Sequence, residues 1–214
     1  MIAAAFRENR LACLLLNVLV AGLVASYYLW PQVAGVWEAV GDFKTRWSWL
    51  FSFVSTAFVA AVLPFIIQGF MGTLPEAGRT RRLLCLIAFW GYRGMEIDML
   101  YRGQAMLFGH GHDARTLAFK VAVDQFLYTP LWAVPTYVMA LRWVDAGCSW
   151  QRARASFDRT FLTRTLPAIL ITNWIIWIPA VTLVYSLPAA LQFPLFSVIM
   201  CFFVLLVTLM ARGK

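Results

Sequence analysis

Charge is what this sequence has least of. Charged residues fill 13% of its 214 positions, about half the share of an ordinary soluble domain. Acidic groups are scarcer still, 10 against 18 basic ones, and there are only 2 histidines and 4 cysteines. Each shortage excludes something. His110 and His112 beside Asp113 have a metal-like look. No Cys or Glu stands near enough to complete a zinc ligand set, so the stretch reads as a Gly-rich interfacial turn. Cys13, Cys85, Cys148 and Cys201 follow no metal or disulfide spacing and read as small apolar residues. No placed nucleophile and base, no Gly-rich phosphate loop and no basic–aromatic stretch occurs. Neither an enzyme, a resident metal or cofactor, nor a nucleic-acid partner is expected.

Apolar residues are abundant instead. They make up 62% of the chain, and the mean hydropathy is +0.73. A soluble fold of this length has too little interior to hide that surface, so lipid must cover part of it. The 10 tryptophans agree, since Trp favours the headgroup boundary. A spanning helix needs about 20 mostly apolar residues. Six runs meet that length: Leu11–Trp30, Trp47–Met71, Leu83–Tyr101, Leu117–Leu141, Leu166–Ser186 and Ala190–Met210. The expected fold is all-α, a single multi-pass transmembrane helix bundle over residues 1–214. Residues 1–46 are expected to form an N-terminal helix and loop. β-Barrel strands would be shorter and alternating.

Basic residues set the orientation. With both termini on the cytoplasmic-equivalent side, the inner segments hold Arg7, Arg10, Arg79, Arg81, Arg82, Arg142, Arg152, Arg154, Arg159, Arg164, Arg212 and Lys214. The outer segments hold Lys44, Arg46, Arg102, Arg115 and Lys120. Twelve against five is the bias of a protein whose inner loops are positive. The first run, flanked by Arg7 and Arg10 and reaching Val24-Ala25-Ser26, shares features with a signal peptide. Its apolar stretch exceeds a signal core, so a retained anchor is expected. The basic stretch from Arg142 to Arg164 reads as a solvated loop or a short amphipathic surface helix.

The runs are informative where they fail to be apolar. Arg93, Glu96, Asp98, Arg102, Lys120 and Asp124 lie in or at the edges of the third and fourth, three positive and three negative. Each costs roughly 2.5–3.5 kcal/mol on insertion scales. A helix advances about 100° per residue. This places Gly91, Gly94, Asp98, Tyr101 and Arg102 on one face and Arg93, Glu96, Leu100 and Gln104 on the other. A helix polar on two faces belongs inside a bundle or against a water-filled cavity. Gly91 and Gly94 permit close approach of a neighbour. Lys120 and Asp124 face the same way, with Gln125, Tyr128 and Thr129 adding polar groups. Pro130 and Pro135 should kink or unwind that helix, and Thr172 and Asn173 lie between Pro167 and Pro179. Broken polar helices near mid-bilayer are how transporters and channels build sites. Buried ion pairs also simply hold helices together, so the same residues read as pore-lining groups or as clamps.

Three segments carry a resemblance. Gly91-Tyr92-Arg93-Gly94 followed by Tyr101, then Lys120, Asp124, Gln125 and Pro130, then Leu170-Ile171-Thr172-Asn173 with Trp177 and Pro179-Ala180-Val181, occur in order. Together they resemble the Mpv/peroxisomal-membrane-protein family, which includes a peroxisomal membrane protein and a mitochondrial inner-membrane relative linked to mitochondrial DNA depletion. The likeness covers residues 79–214, and by this resemblance the N-terminal helix and loop of residues 1–46 are an addition. Met95 stands where the family has proline, Ile178 separates Trp177 from Pro179, and the second run lacks the family's early acidic pattern. The resemblance implies a small helical bundle in an inner or organellar membrane with a channel-like or solute-permeability role. The host would be a bacterial inner membrane or, in a eukaryote, a mitochondrial inner or peroxisomal one. The expected partners are membrane lipid and ions or small metabolites, with a homo-oligomer left open. A non-transporting scaffold or assembly factor is the alternative.

Overall fold

The computed structural model describes residues 2–74 and 78–210, with side chains described for 13–74 and 78–205. Arg7, Arg10, Arg212 and Lys214, which weigh in the orientation, lie outside the residues whose side chains are described. The described residues are all-α, with seven continuous helical rods and no strand. The rods are α1 (Ile2–Leu29); α2 (Pro31–Ala57), which continues through a π-helical turn π1 (Phe58–Val62) into α3 (Leu63–Phe70); α4 (Arg79–Phe108); α5 (Ala114–Ala122), continuing through π2 (Val123–Ala133) into α6 (Val134–Asp145); α7 (Trp150–Arg154); π3 (Phe161–Thr165) leading into α8 (Leu166–Tyr185); and α9 (Ala189–Met210).

The three π segments share a cause. Each ends two residues before a proline: Val62 before Pro64, Ala133 before Pro135, Thr165 before Pro167. Proline has no N–H to give to the carbonyl four residues back, and its ring crowds that carbonyl. Opening the preceding turn to a wider pitch relieves both without ending the helix. Around Pro130 and before Pro135 the fourth run widens into the long π2 segment, a local unwinding, while the rod continues. Likewise α8 passes unbroken through Pro179, with Pro167 in its first turn.

Among the described residues, two rods are long and apolar enough to cross a membrane, Pro31–Phe70 and Phe161–Tyr185. Cys13–Leu29 and Ala189–Leu205 are shorter apolar helices. Residues 31–46, expected as loop, are helical and extend the second run backward. Ser48, at φ 44°, interrupts that helix with a kink.

Several charged side chains are buried while large apolar ones face outward. Leu131 is 73% exposed and Phe70 89%, while Asp98 is 1% exposed and Lys120 2%. Large apolar side chains also face outward on α1 (Leu14, Val18), α2 (Leu50, Val54) and α4 (Met99, Met106). Water rewards the opposite arrangement, and hydrocarbon rewards this one. The apolar core lies where α1, α8 and α9 meet, around Val20, Ala180, Val184, Phe193 and Ile199. Beside it, α4 is wedged between α2 on one side and the α5–π2–α6 rod on the other.

Candidate functional site

The α2–α4 contact is very close. A Cβ at Gly94 would lie 2.1 Å from the Ser52 carbonyl oxygen, and one at Gly91 would lie 2.3 Å from the Phe53 ring. Only glycine lets the helices sit this close. The approach brings Asp98 against a polar stripe on α2. Lys44 Nζ lies 2.6 Å from Asp98 Oδ1. Ser52 Oγ donates to Oδ2 at 3.1 Å, and Arg102 Nη2 donates to the same oxygen at 2.9 Å. Arg102 also reaches Ser48 Oγ at 2.9 Å, and its guanidinium lies over the Trp49 ring at 4.9 Å. One buried carboxylate thus neutralises a buried ammonium and meets a guanidinium whose head is partly exposed.

The other face of α4 makes a second clamp. Arg93 Nη1 donates to both Glu96 oxygens at 3.2 Å and to Thr136 Oγ1 at 3.2 Å. Arg93 Nη2 donates to the Ala133 carbonyl at 3.2 Å. Tyr128 OH donates to Glu96 Oε1 at 2.6 Å. Both charges are buried, and every partner beyond the pair itself belongs to π2 or α6.

A third polar group lies where α4, π2 and α8 converge. Gln104 Nε2 donates to Tyr185 OH at 2.9 Å, and Tyr185 OH donates to Asp124 Oδ2 at 2.8 Å. Gln125 Nε2 donates to Asp124 Oδ1 at 3.1 Å, while the Gln125 carbonyl accepts from Trp174 Nε1 at 2.7 Å. The chain is incomplete. Gln104 Oε1 and Gln125 Oε1 are buried with no hydrogen-bond partner among the described residues. Lys120 is also only 2% exposed, although its Nζ is not one of the sealed atoms, and no hydrogen bond or ion pair to it occurs among the described residues. It shares a helical rod with Asp124 but does not pair with it. Buried polar groups nearly always have partners; Asn17 Oδ1, Thr56 Oγ1 and Trp143 Nε1 are the other buried side-chain atoms without one among the described residues.

The structure thus divides the sequence-derived residues. Arg93, Glu96, Asp98 and Arg102 are used in two clamps, and Asp124 and Gln125 join the third group. Asn173 is half-buried on α8 and makes no side-chain hydrogen bond among the described residues. Pro130, Pro167 and Pro179 shape their helices and touch none of these groups through hydrogen bonds. Asp113 is not part of a metal cluster; no such cluster occurs among the described residues. It caps α5, accepting from the Arg115 and Thr116 amides at 3.1 Å and from Thr116 Oγ1 at 2.7 Å. That hydroxyl, with the Thr116 amide next, holds the Asp113 carboxyl below the usual carboxylate range.

Sequence reasoning misses Lys44, which it places in an outer loop, and Tyr185. A signal for Lys44 exists: Lys44, Ser48, Ser52 and Thr56 recur every fourth residue, a polar stripe on one helical face. It also misses that Cys85 and Cys148 meet, with their sulfurs 3.4 Å apart. Searches of protein-family models, of curated proteins and of solved structures found no match to this chain.

Proposed function

We propose that this chain is a multi-pass membrane protein of six spans, with both termini on the cytoplasmic-equivalent side, and that it has a channel-like, solute-permeability role. The observation that carries this reading is Lys120, a residue only 2% exposed whose cation has no acceptor among the described residues, on the same rod as Asp124. Two unmet amide oxygens belong to the same convergence of helices. Polar groups left unsatisfied by the protein are the ones free to exchange partners with water, an ion or a small polar metabolite. The resemblance of residues 79–214 to the Mpv/peroxisomal-membrane-protein family supports the same role, in an inner or organellar membrane.

The two clamps have a different part in this proposal. They hold α4 at the centre of the bundle and leave Lys120, Asp124, Gln104 and Gln125 as the passage-lining set. Flux of small ions and metabolites from proteoliposomes tests it. The wild-type chain should release solute faster than empty liposomes, and Asp124→Ala should change that rate. No release above empty liposomes, together with no effect of Asp124→Ala, would sink it.

A second reading, a non-transporting scaffold or assembly factor, is favoured by the clamps themselves. Arg93–Glu96 and Lys44–Asp98–Arg102 are satisfied within the bundle. Under that reading Asp124→Asn lowers thermal stability and flux is absent throughout.

A further inference from the structure

We infer that Cys85 and Cys148 form a reversible disulfide, a modification site that ties α4 to the turn after α6. The two residues are 63 apart in sequence, yet their sulfurs lie 3.4 Å from each other. A disulfide bond is about 2.05 Å long, so side-chain rotation and a small backbone adjustment must close the remaining distance. Neither cysteine is sealed from its surroundings; both are partly exposed, and both are free thiols.

The local backbone aims Cys148 at α4. Helix α6 ends with Gly147 at φ 66° and Cys148 at φ 58°, two successive left-handed residues. The Cys148 amide donates back to the Trp143 carbonyl at 2.8 Å, which fixes the reversal. An ion pair holds the same ends together: Arg82 Nη1 lies 2.5 Å from Asp145 Oδ1. The Arg81 and Arg152 guanidinium groups lie close over Gly147, where a Cβ would be crowded by both.

The oxidant is a low-molecular-weight disulfide such as oxidised glutathione. One cysteine thiolate attacks a sulfur of that disulfide, forming a mixed disulfide and expelling one small thiolate. The second cysteine attacks the protein sulfur of the mixed disulfide and expels the other. Two protein thiols lose two electrons and two protons, and one small disulfide becomes two small thiols. In the proposed orientation both cysteines sit at the inner face, where thiols are kept reduced, so the bond is a switch and not a permanent staple. The pairing itself does not depend on the solute reading.

The test uses the full chain in detergent, equilibrated with glutathione buffers of stepped ratio, then quenched, alkylated and analysed by intact mass and peptide mapping. The expected result is one intramolecular bridge joining the Cys85 and Cys148 peptides, with Cys13 and Cys201 alkylated. Its equilibrium constant should be at least about tenfold more favourable in the folded chain than after denaturation, because folding holds the thiols together. Cys148→Ser should abolish the bridge, and Cys13→Ser combined with Cys201→Ser should keep it. Four alkylated thiols across the series, a bridge using Cys13 or Cys201, or an equal constant in folded and denatured chains would each overturn the inference.

Discussion

Asp98 shows how much one residue can carry in this protein. Its carboxylate faces a buried ammonium at 2.6 Å and takes two further hydrogen bonds. Asp98→Asn leaves Lys44 charged and buried without a counter-charge, and breaking a buried pair from one side costs about 3–5 kcal/mol. Thermal unfolding in detergent should record that loss. Lys44→Met combined with Asp98→Leu should recover much of it, because removing both charges also removes the desolvation cost. Arg102 then keeps Ser48 and Trp49. Asp113 gives a milder, pH-dependent effect. Its folded-state carboxyl is held low by Thr116, so its stabilising contribution is complete above the usual carboxylate range. That contribution is lost as pH falls through the depressed folded value. Amide exchange at Arg115 and Thr116 should accelerate over that acidic window and be insensitive to pH-linked uncapping in Asp113→Ala.

At the scale of helices, two devices organise the bundle. The first is the glycine pair on α4. Gly94→Ala puts a methyl into the Ser52 carbonyl, so α2 and α4 must separate. Overpacking of this kind costs typically 1–3 kcal/mol. It should also lengthen the Lys44–Asp98 contact, measurable as a lowered melting temperature that Asp98→Asn does not lower further in full, since the two changes act on one contact. The second device is the proline-linked π turn. Pro167→Ala restores an N–H, so the Phe161–Thr165 segment should close to an ordinary α-helix, read as slower amide exchange there.

Much of α4 is legible in the sequence. Arg93 and Glu96 are three apart on one helix, so their pairing follows from helical geometry alone, and Gly91 and Gly94 mark a face open to close approach. The partners on other helices are not legible. Tyr185 meets Asp124 across 61 residues and Cys85 meets Cys148 across 63. Such contacts depend on how rods cross, which one chain's periodicity does not encode. Lys44 escapes because Glu38, Asp42, Lys44 and Arg46 dilute the apolar signal and make a helix look like a loop. The prolines are recognisable as disturbances, but their effect depends on whether a helix can widen, and here it does.

Over the whole molecule, the polar interior separates into groups with distinct duties. The Lys44–Asp98–Arg102 and Arg93–Glu96 clamps hold the bundle, and the Lys120, Asp124, Gln104 and Gln125 set is the proposed route for solute. The separation is tested most directly by measuring melting temperature and proteoliposome flux on the same preparations of wild type, Asp98→Asn and Lys120→Met. Asp98→Asn should lower the melting temperature by several degrees while the folded fraction keeps its flux per molecule. Lys120→Met should keep or raise the melting temperature, since a cation with no acceptor among the described residues is removed, and should change flux severalfold. Flux indistinguishable from empty liposomes in all three, or a Lys120→Met chain with wild-type flux, would contradict the assignment.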